Sequence, residues 1–150
     1  MSLSSIEEST GFLCVRTARS MKKKLDARLV KFKITSSQHT VLSALLENNG
    51  LSLSEIGNKV FLDKPAITGL ADRLEKDNLV ERKRTTADRR VVRLYLTEKG
   101  RKLLLDIDNL ANEVDGELVS VLSGKELQEF RTLLNRIWSN ANGRNSSDAK

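Results

Sequence analysis

The stretch ERKRTTADRRVVRLYLTEKG, residues 81–100, carries most of the chain's unbalanced charge. Between Val80 and Lys102 stand nine lysines and arginines, at positions 82, 83, 84, 89, 90, 93, 99, 101 and 102. Against them are three acids, at 81, 88 and 98, so the segment nets +6. That equals the formal charge of all 150 residues, and the remainder sums to zero. A localised positive field suits a polyanion, of which nucleic acid is the commonest. The plainer alternative is a solvated charged face that serves solubility.

Other chemistries find few residues to work with. A single cysteine, Cys14, excludes an internal disulfide, and together with the single histidine, His39, it leaves too few ligands for a protein zinc site. His39 is expected on a helix surface or in a pocket, and not as a ligand or base. Asp106 and Asp108 lie two apart in a helical pattern and do not face each other. With no nucleophile–base pair, paired carboxylates or metal set, neither catalysis nor a cofactor is expected. The contrasting non-enzymatic class is a protein-interaction module whose basic face takes an acidic partner. No stretch has the form of a secretory leader or a membrane-spanning segment, so the chain is expected in the cytoplasm and off the membrane.

The elements that would position the cations follow from periodicity and caps. Apolar spacing through Phe12, Leu13, Val15, Ala18, Leu25 and Leu29 predicts one helix over 6–32. Capping boxes at Thr35/Gln38, Ser52/Glu55 and Ser123/Glu126 mark three helix starts, the hydroxyl accepting from a free N–H while the longer side chain reaches back. The first opens a helix through Val41, Leu42, Leu45 and Leu46, ended by Asn49-Gly50. The second opens a short helix to about Val60. Asp63 caps the next, with Pro65 in its first turn, where a missing N–H costs nothing. That helix runs to about Asp77.

Strands are predicted over 79–84 and 91–96, joined by Thr85 to Arg90. Val92, Leu94 and Leu96 alternate with Val91, Arg93 and Tyr95, so one face turns inward. Thr97 caps a long helix carrying Leu103, Leu104, Ile107, Leu110, Val114, Leu118 and Val121. A last helix carries Leu127, Phe130, Leu133, Leu134, Ile137 and Trp138. The polar tail over 141–150 is expected to be disordered.

The middle of this order is a helix-turn-helix. Gly57 supplies the small residue where two helices cross, and Ile56, Val60, Leu62, Ile67 and Leu70 lock them, with Leu74 extending the buried stripe. The opposite face of the second helix shows Lys64, Pro65, Thr68, Gly69 and Arg73, which suit bases and phosphates of a major groove. A helical hairpin buried in a bundle would share the spacing. A cationic two-stranded hairpin directly downstream favours a winged helix instead. The fold class expected is mainly α with a small β-hairpin wing.

The segment SLSEIGNKVFLDKPAITGLADRLEKDNLVERKRTTADRRVVRLYLTEKG, 52–100, resembles the DNA-binding lobe of the MarR (multiple antibiotic resistance regulator) family, most specifically in ADRLEKDNLVER and DRRVVRLYLTEKG. The flanking helices match that family's order. The resemblance implies a homodimeric transcription regulator, more often a repressor, bound to inverted-repeat double-stranded DNA. It implies a winged helix-turn-helix lobe over 35–96 and a dimerisation lobe made of 6–32 and 97–140. A small anionic, often aromatic, effector would sit in a cleft between lobes. The aspartate and the arginine two places on are the family's wing signature, here Asp88 and Arg90. Arg90 would enter the minor groove while Asp88 holds it in one extended rotamer, with Arg84 and Arg89 next to them and Arg82 and Lys83 on phosphates.

The chain departs from the common family pattern in its wing tip, TTAD, and at Gly69, where many members carry a longer side chain. The second departure leaves base readout to Pro65, Thr68, Arg73 and Lys64, and shifts specificity toward DNA shape. Cys14 stands on the first helix, where the family's peroxide-sensing branch keeps its reactive cysteine. A redox-sensing regulator of the same fold is therefore an alternative, although the tyrosines that support such a thiolate are absent except for Tyr95, in the wing. The basic run Lys22 to Lys24, with Arg28, Lys31 and Lys33, is either a solvated face or a lure for an anionic effector or flanking DNA.

Overall fold

The computed structural model describes residues 5–143, excepting the side chain of Asp108. In chain order it contains α1 (Thr10–Leu29), α2 (Ser36–Glu47), α3 (Leu53–Val60), α4 (Lys64–Lys76), β1 (Val80–Arg84), β2 (Val92–Leu96), α5 (Glu98–Val119) and α6 (Gly124–Asn142). The chain divides into two compact units within α5, between Asn112 and Glu113. No helix among the described residues is long and apolar enough to cross a membrane.

The single helix expected over 6–32 is divided. Ile6–Glu8 forms a separate 3-10 turn, because Ser9 is extended and its hydroxyl caps Phe12 N–H to start α1. At the other end Val30–Phe32 tightens to 3-10 geometry and Lys33 turns left-handed, with φ 60°. Of the apolar residues expected along this helix, Leu29 is fully buried, whereas Val15 is exposed.

All three capping boxes form with both hydrogen bonds: Thr35 with Gln38, Ser52 with Glu55, and Ser123 with Glu126. Asp63 caps α4 by accepting from Ala66 N–H at 2.9 Å, and Pro65 lies in the first turn as expected. Thr97 caps α5 by accepting from Gly100 N–H at 3.0 Å. Gly100 has no room for a side chain, since a Cβ there would lie 2.3 Å from the Leu79 carbonyl oxygen.

The first unit buries one continuous apolar core. Leu29, Leu42, Leu45, Ile56, Ile67, Leu74, Leu94 and Ile107 are its largest fully enclosed aliphatics. Each contributes roughly 1.5–3 kcal/mol by leaving water. Leu46, expected to join them, points outward, because Val41, Leu42, Ala44 and Leu45 already form the inner face of α2. In the second unit α6 runs through Asn142 with Gly143 as its C-cap, so ordered helix reaches into the segment expected to be disordered. The rest of that expectation, 144–150, lies outside the described residues. Val121 sits in the turn between α5 and α6, not on α5, and is exposed.

Candidate nucleic-acid interface

The helix-turn-helix consists of α3, the turn Phe61–Asp63, and α4. Gly57 has no room for a side chain: a Cβ there would lie 2.9 Å from the Leu62 carbonyl oxygen in the turn and 3.4 Å from Ile67 Cγ1 on α4. The turn closes when Leu62 N–H donates to Gly57 oxygen at 3.0 Å, with Phe61 left-handed at φ 58°. Ile67, Leu70, Ala71 and Leu74 form the buried face of α4. Lys64, Pro65 and Arg73 are exposed on it, and Thr68 and Gly69 are half-buried.

The structure refines two of these residues. Thr68 Oγ1 donates to the Lys64 carbonyl at 2.9 Å, so its hydroxyl hydrogen is committed to the helix while the oxygen can still accept. Such a threonine can still touch a thymine methyl or accept from a base. Gly69 meets nothing within 4 Å where a Cβ would be, so its smallness is not required by packing.

The hairpin pairs β1 and β2 antiparallel, with Arg82 opposite Leu94 and Lys83 opposite Arg93. Its tip is built by local bonds. Thr85 Oγ1 donates to the Asp88 carbonyl and accepts from Asp88 N–H, at 2.6 and 2.9 Å. Arg84 Nη1 donates to the Arg89 carbonyl at 2.7 Å, so Arg84 closes the tip. Asp88 then accepts three times from Arg90: from its backbone N–H at 3.0 Å, its Nε at 3.1 Å and its Nη2 at 3.3 Å. The Arg90 side chain is nonetheless 92% exposed. The guanidinium holds the Asp88 carboxyl below its ordinary pKa, and the backbone N–H adds to this. The result is a fixed, outward cation with a carboxylate behind it. Arg89 is also exposed.

The base of the hairpin is different. Arg82, expected on phosphates, instead pairs with Asp72 of α4, places its Nε 3.8 Å from Glu75, and is only 28% exposed. Lys83 lies over the Tyr95 ring at 4.9 Å, exposed on the outer face. Arg93 donates to the Gly50 carbonyl at 2.9 Å and lies 3.6 Å from Glu55. Backbone bonds continue this attachment, since Gly50 N–H donates to Leu94 oxygen and Leu94 N–H to Leu51 oxygen, both at 3.0 Å. Asn49 Oδ1 accepts from Leu96 N–H at 2.9 Å. Sequence reasoning read Asn49-Gly50 only as a helix end. Gly50 is left-handed at φ 84°, and a Cβ would lie 2.8 Å from the Tyr95 ring. Its local signal was legible, but its partner 45 residues away was not.

The other singled-out residues lie apart from these elements. Cys14 is free and exposed on α1, and neighbouring Arg16 is drawn to the Phe12 ring at 5.8 Å. His39 is half-buried with its Nε2 3.4 Å from Ser43 Oγ, and burial lowers its pKa. A cavity of about 500 Å³ is lined by Phe32, Ile34, Leu79 and Leu103 together with Lys33, Lys99, Lys102, Asp77 and Asp106. No group of acids, histidines and cysteines that could hold a metal occurs among the described residues.

This arrangement has close counterparts. The MarR family model matches residues 34–92. The transcriptional regulator MhqR of Bacillus subtilis is 35% identical over 127 residues, covering 84% of this chain and 87% of its own. The S. aureus MepR–DNA complex superposes with a TM-score of 0.82 at 28% identity, covering 88% of this chain and 98% of that one. The PcaV regulator of Streptomyces coelicolor, in complex with its natural ligand, reaches a TM-score of 0.84 at 25% identity, covering 95% and 100%. With the wing, the helix-turn-helix and the flanking helices all in that order, this chain belongs to the MarR family of winged-helix transcription regulators, which act by binding DNA and not as enzymes.

Proposed function

We propose that the protein is a cytoplasmic homodimeric repressor that binds inverted-repeat operator DNA and is released by a small anionic, often aromatic, effector. The observation that carries the DNA-reading part is the wing tip: Arg90 is clamped to Asp88 yet almost wholly exposed. An arginine held in this way loses little side-chain entropy when it enters a narrow groove. Lys64, Pro65, Thr68, Gly69 and Arg73 form the second reading face, in the major groove.

The dimer reading rests on α6. Phe130, Leu133, Leu134 and Ile137 recur at helical spacing and are each 40–55% exposed. A stripe of this kind on a terminal helix is best covered by a second copy about a two-fold axis. A dimer would place two reading heads on half-sites about one helical turn apart. The effector reading rests on the cavity, where Lys33, Lys99 and Lys102 outnumber Asp77 and Asp106 beside apolar walls. Such a lining suits a carboxylate or phenolate attached to a ring.

Selection of bound genomic fragments, followed by titration of the best one over a range of salt, tests the whole reading. One inverted repeat bound far more tightly than random duplex, with a steep salt slope, is the expected result. Equal affinity for all duplexes would overturn it, and a stable monomer at micromolar concentration in sedimentation would overturn the dimer.

A further inference from the structure

Arg82 follows Asp72 by ten positions, and the turn between their elements is short: α4 ends at Lys76 and β1 begins at Val80. Asp72 and Glu75 stand three apart on α4, so they share one face. Both are turned toward β1. Arg82 Nη2 donates to Asp72, Arg82 N–H donates to Glu75 Oε2 at 3.2 Å, and Arg82 Nε lies 3.8 Å from Glu75 Oε1. The arginine is thus fastened by both its side chain and its main chain to the helix that carries the reading face. Arg93 fastens the opposite strand to Gly50 and Glu55.

We propose that Arg82 is a positioning residue and not a phosphate ligand: with Asp72 and Glu75 it sets the angle between wing and recognition helix, so that both reach one half-site together. This rests on the DNA-binding reading above. Nη2 is committed to Asp72 and the side chain is only 28% exposed, which leaves little of the guanidinium for a phosphate. Turning it outward onto a phosphate would leave Asp72 facing the DNA unpaired. Without the clasp, the hairpin would be held only along β2, by the 49–52 segment and Glu55, its β1 side would loosen from α4, and the contact at Arg90 would be made only part of the time.

Asp72→Asn separates the two roles, because it removes an acid close to DNA. Asp72 is 62% exposed, so the variant keeps the core intact. If Arg82 only served phosphates, Asp72→Asn would leave binding unchanged or tighten it. The clasp predicts weaker binding to the selected operator, about five- to tenfold, at fixed salt. It also predicts that Arg90→Ala costs less in the Asp72→Asn background than in wild type, since a wing that is no longer aimed has less to lose. Arg82→Lys, which keeps the charge but not the planar fork, should lose affinity as well. Tighter or unchanged binding by Asp72→Asn, or an undiminished Arg90→Ala loss in that background, overturns the clasp. Wild-type protein titrated in parallel keeps the readings distinct: if it shows no operator preference, the DNA-binding reading has failed and not the clasp alone.

Discussion

The two ends of the hairpin carry the same residue type and treat it in opposite ways. At the tip, Arg90 is held by one carboxylate from its own loop and projects into solvent. At the base, Arg82 is held by carboxylates from another element and is largely covered. In both cases an acid fixes the cation, but the acid's position decides the outcome. A partner two residues away leaves the guanidinium on the outside, whereas a partner on α4 pulls it inward. Counting positive charges therefore overstates how many stand free in solvent, since Arg82 is paired and largely covered.

The comparison is broken most severely at its exposed end. Arg90→Ala should weaken operator binding by about 1–3 kcal/mol, the range for one well-placed groove contact, as read by titration at one salt concentration. A loss confined to a few tenths of a kcal/mol would return the tip to the status of a solvated loop.

Asp88→Ala sharpens the same end and should cost somewhat less. If the acid merely repels DNA, the change strengthens binding. If it holds Arg90, binding weakens although the net charge rises, and the double variant resembles Arg90→Ala and not the sum of both losses. The pKa of Asp88 is lowered, so its contribution is present above its ordinary value of 3.8 and is lost only as pH falls through the lower folded value. The difference between wild type and Asp88→Ala should accordingly stay flat between about pH 5 and pH 8.

Between base and tip lies Lys83, exposed over Tyr95. Lys83→Ala should weaken binding to all sequences alike and lower the salt slope by about one unit, whereas Thr68→Ala should change preference among operator variants with little change in slope. A sequence-selective effect from Lys83, or none from Thr68, would mean that the outer face of the hairpin or of α4 has been assigned wrongly.

The smallest effect lies away from both ends. Burial holds His39 below its ordinary value of 6.5, so the unfolded chain takes up a proton first as the solution is acidified. Stability is therefore full above about pH 6.5 and declines as pH falls through the lowered folded pKa. Thermal melts of His39→Gln should lack that part of the slope while operator affinity at pH 7 is kept.

The amino-acid sequence by itself determined the features that local chemistry decides. Capping boxes are satisfied within four residues, so Thr35, Ser52 and Ser123 could be recognised without knowing what lay elsewhere. Asp63, Pro65 and Thr97 were legible for the same reason, and so was the close approach at Gly57. The Asp88–Arg90 pair needed one more ingredient, the family resemblance, because two charges near each other in a loop do not by spacing alone reveal which of them is displayed. The break before α1 was harder still: Ser9 is one hydroxyl among several polar residues, and periodicity ran through it unbroken.

What tertiary structure alone decided was which cations were already taken. Arg82 depends on Asp72 and Glu75, Arg93 on Gly50 and Glu55, and Lys99 on the Asp77 carbonyl at 2.9 Å. These contacts join residues between 7 and 43 positions apart, and charge pairing has no sequence period that would announce them. Whether a surface arginine is free for a phosphate depends on the acids that folding brings within reach, and that follows from how α4, the hairpin and the 49–52 segment pack.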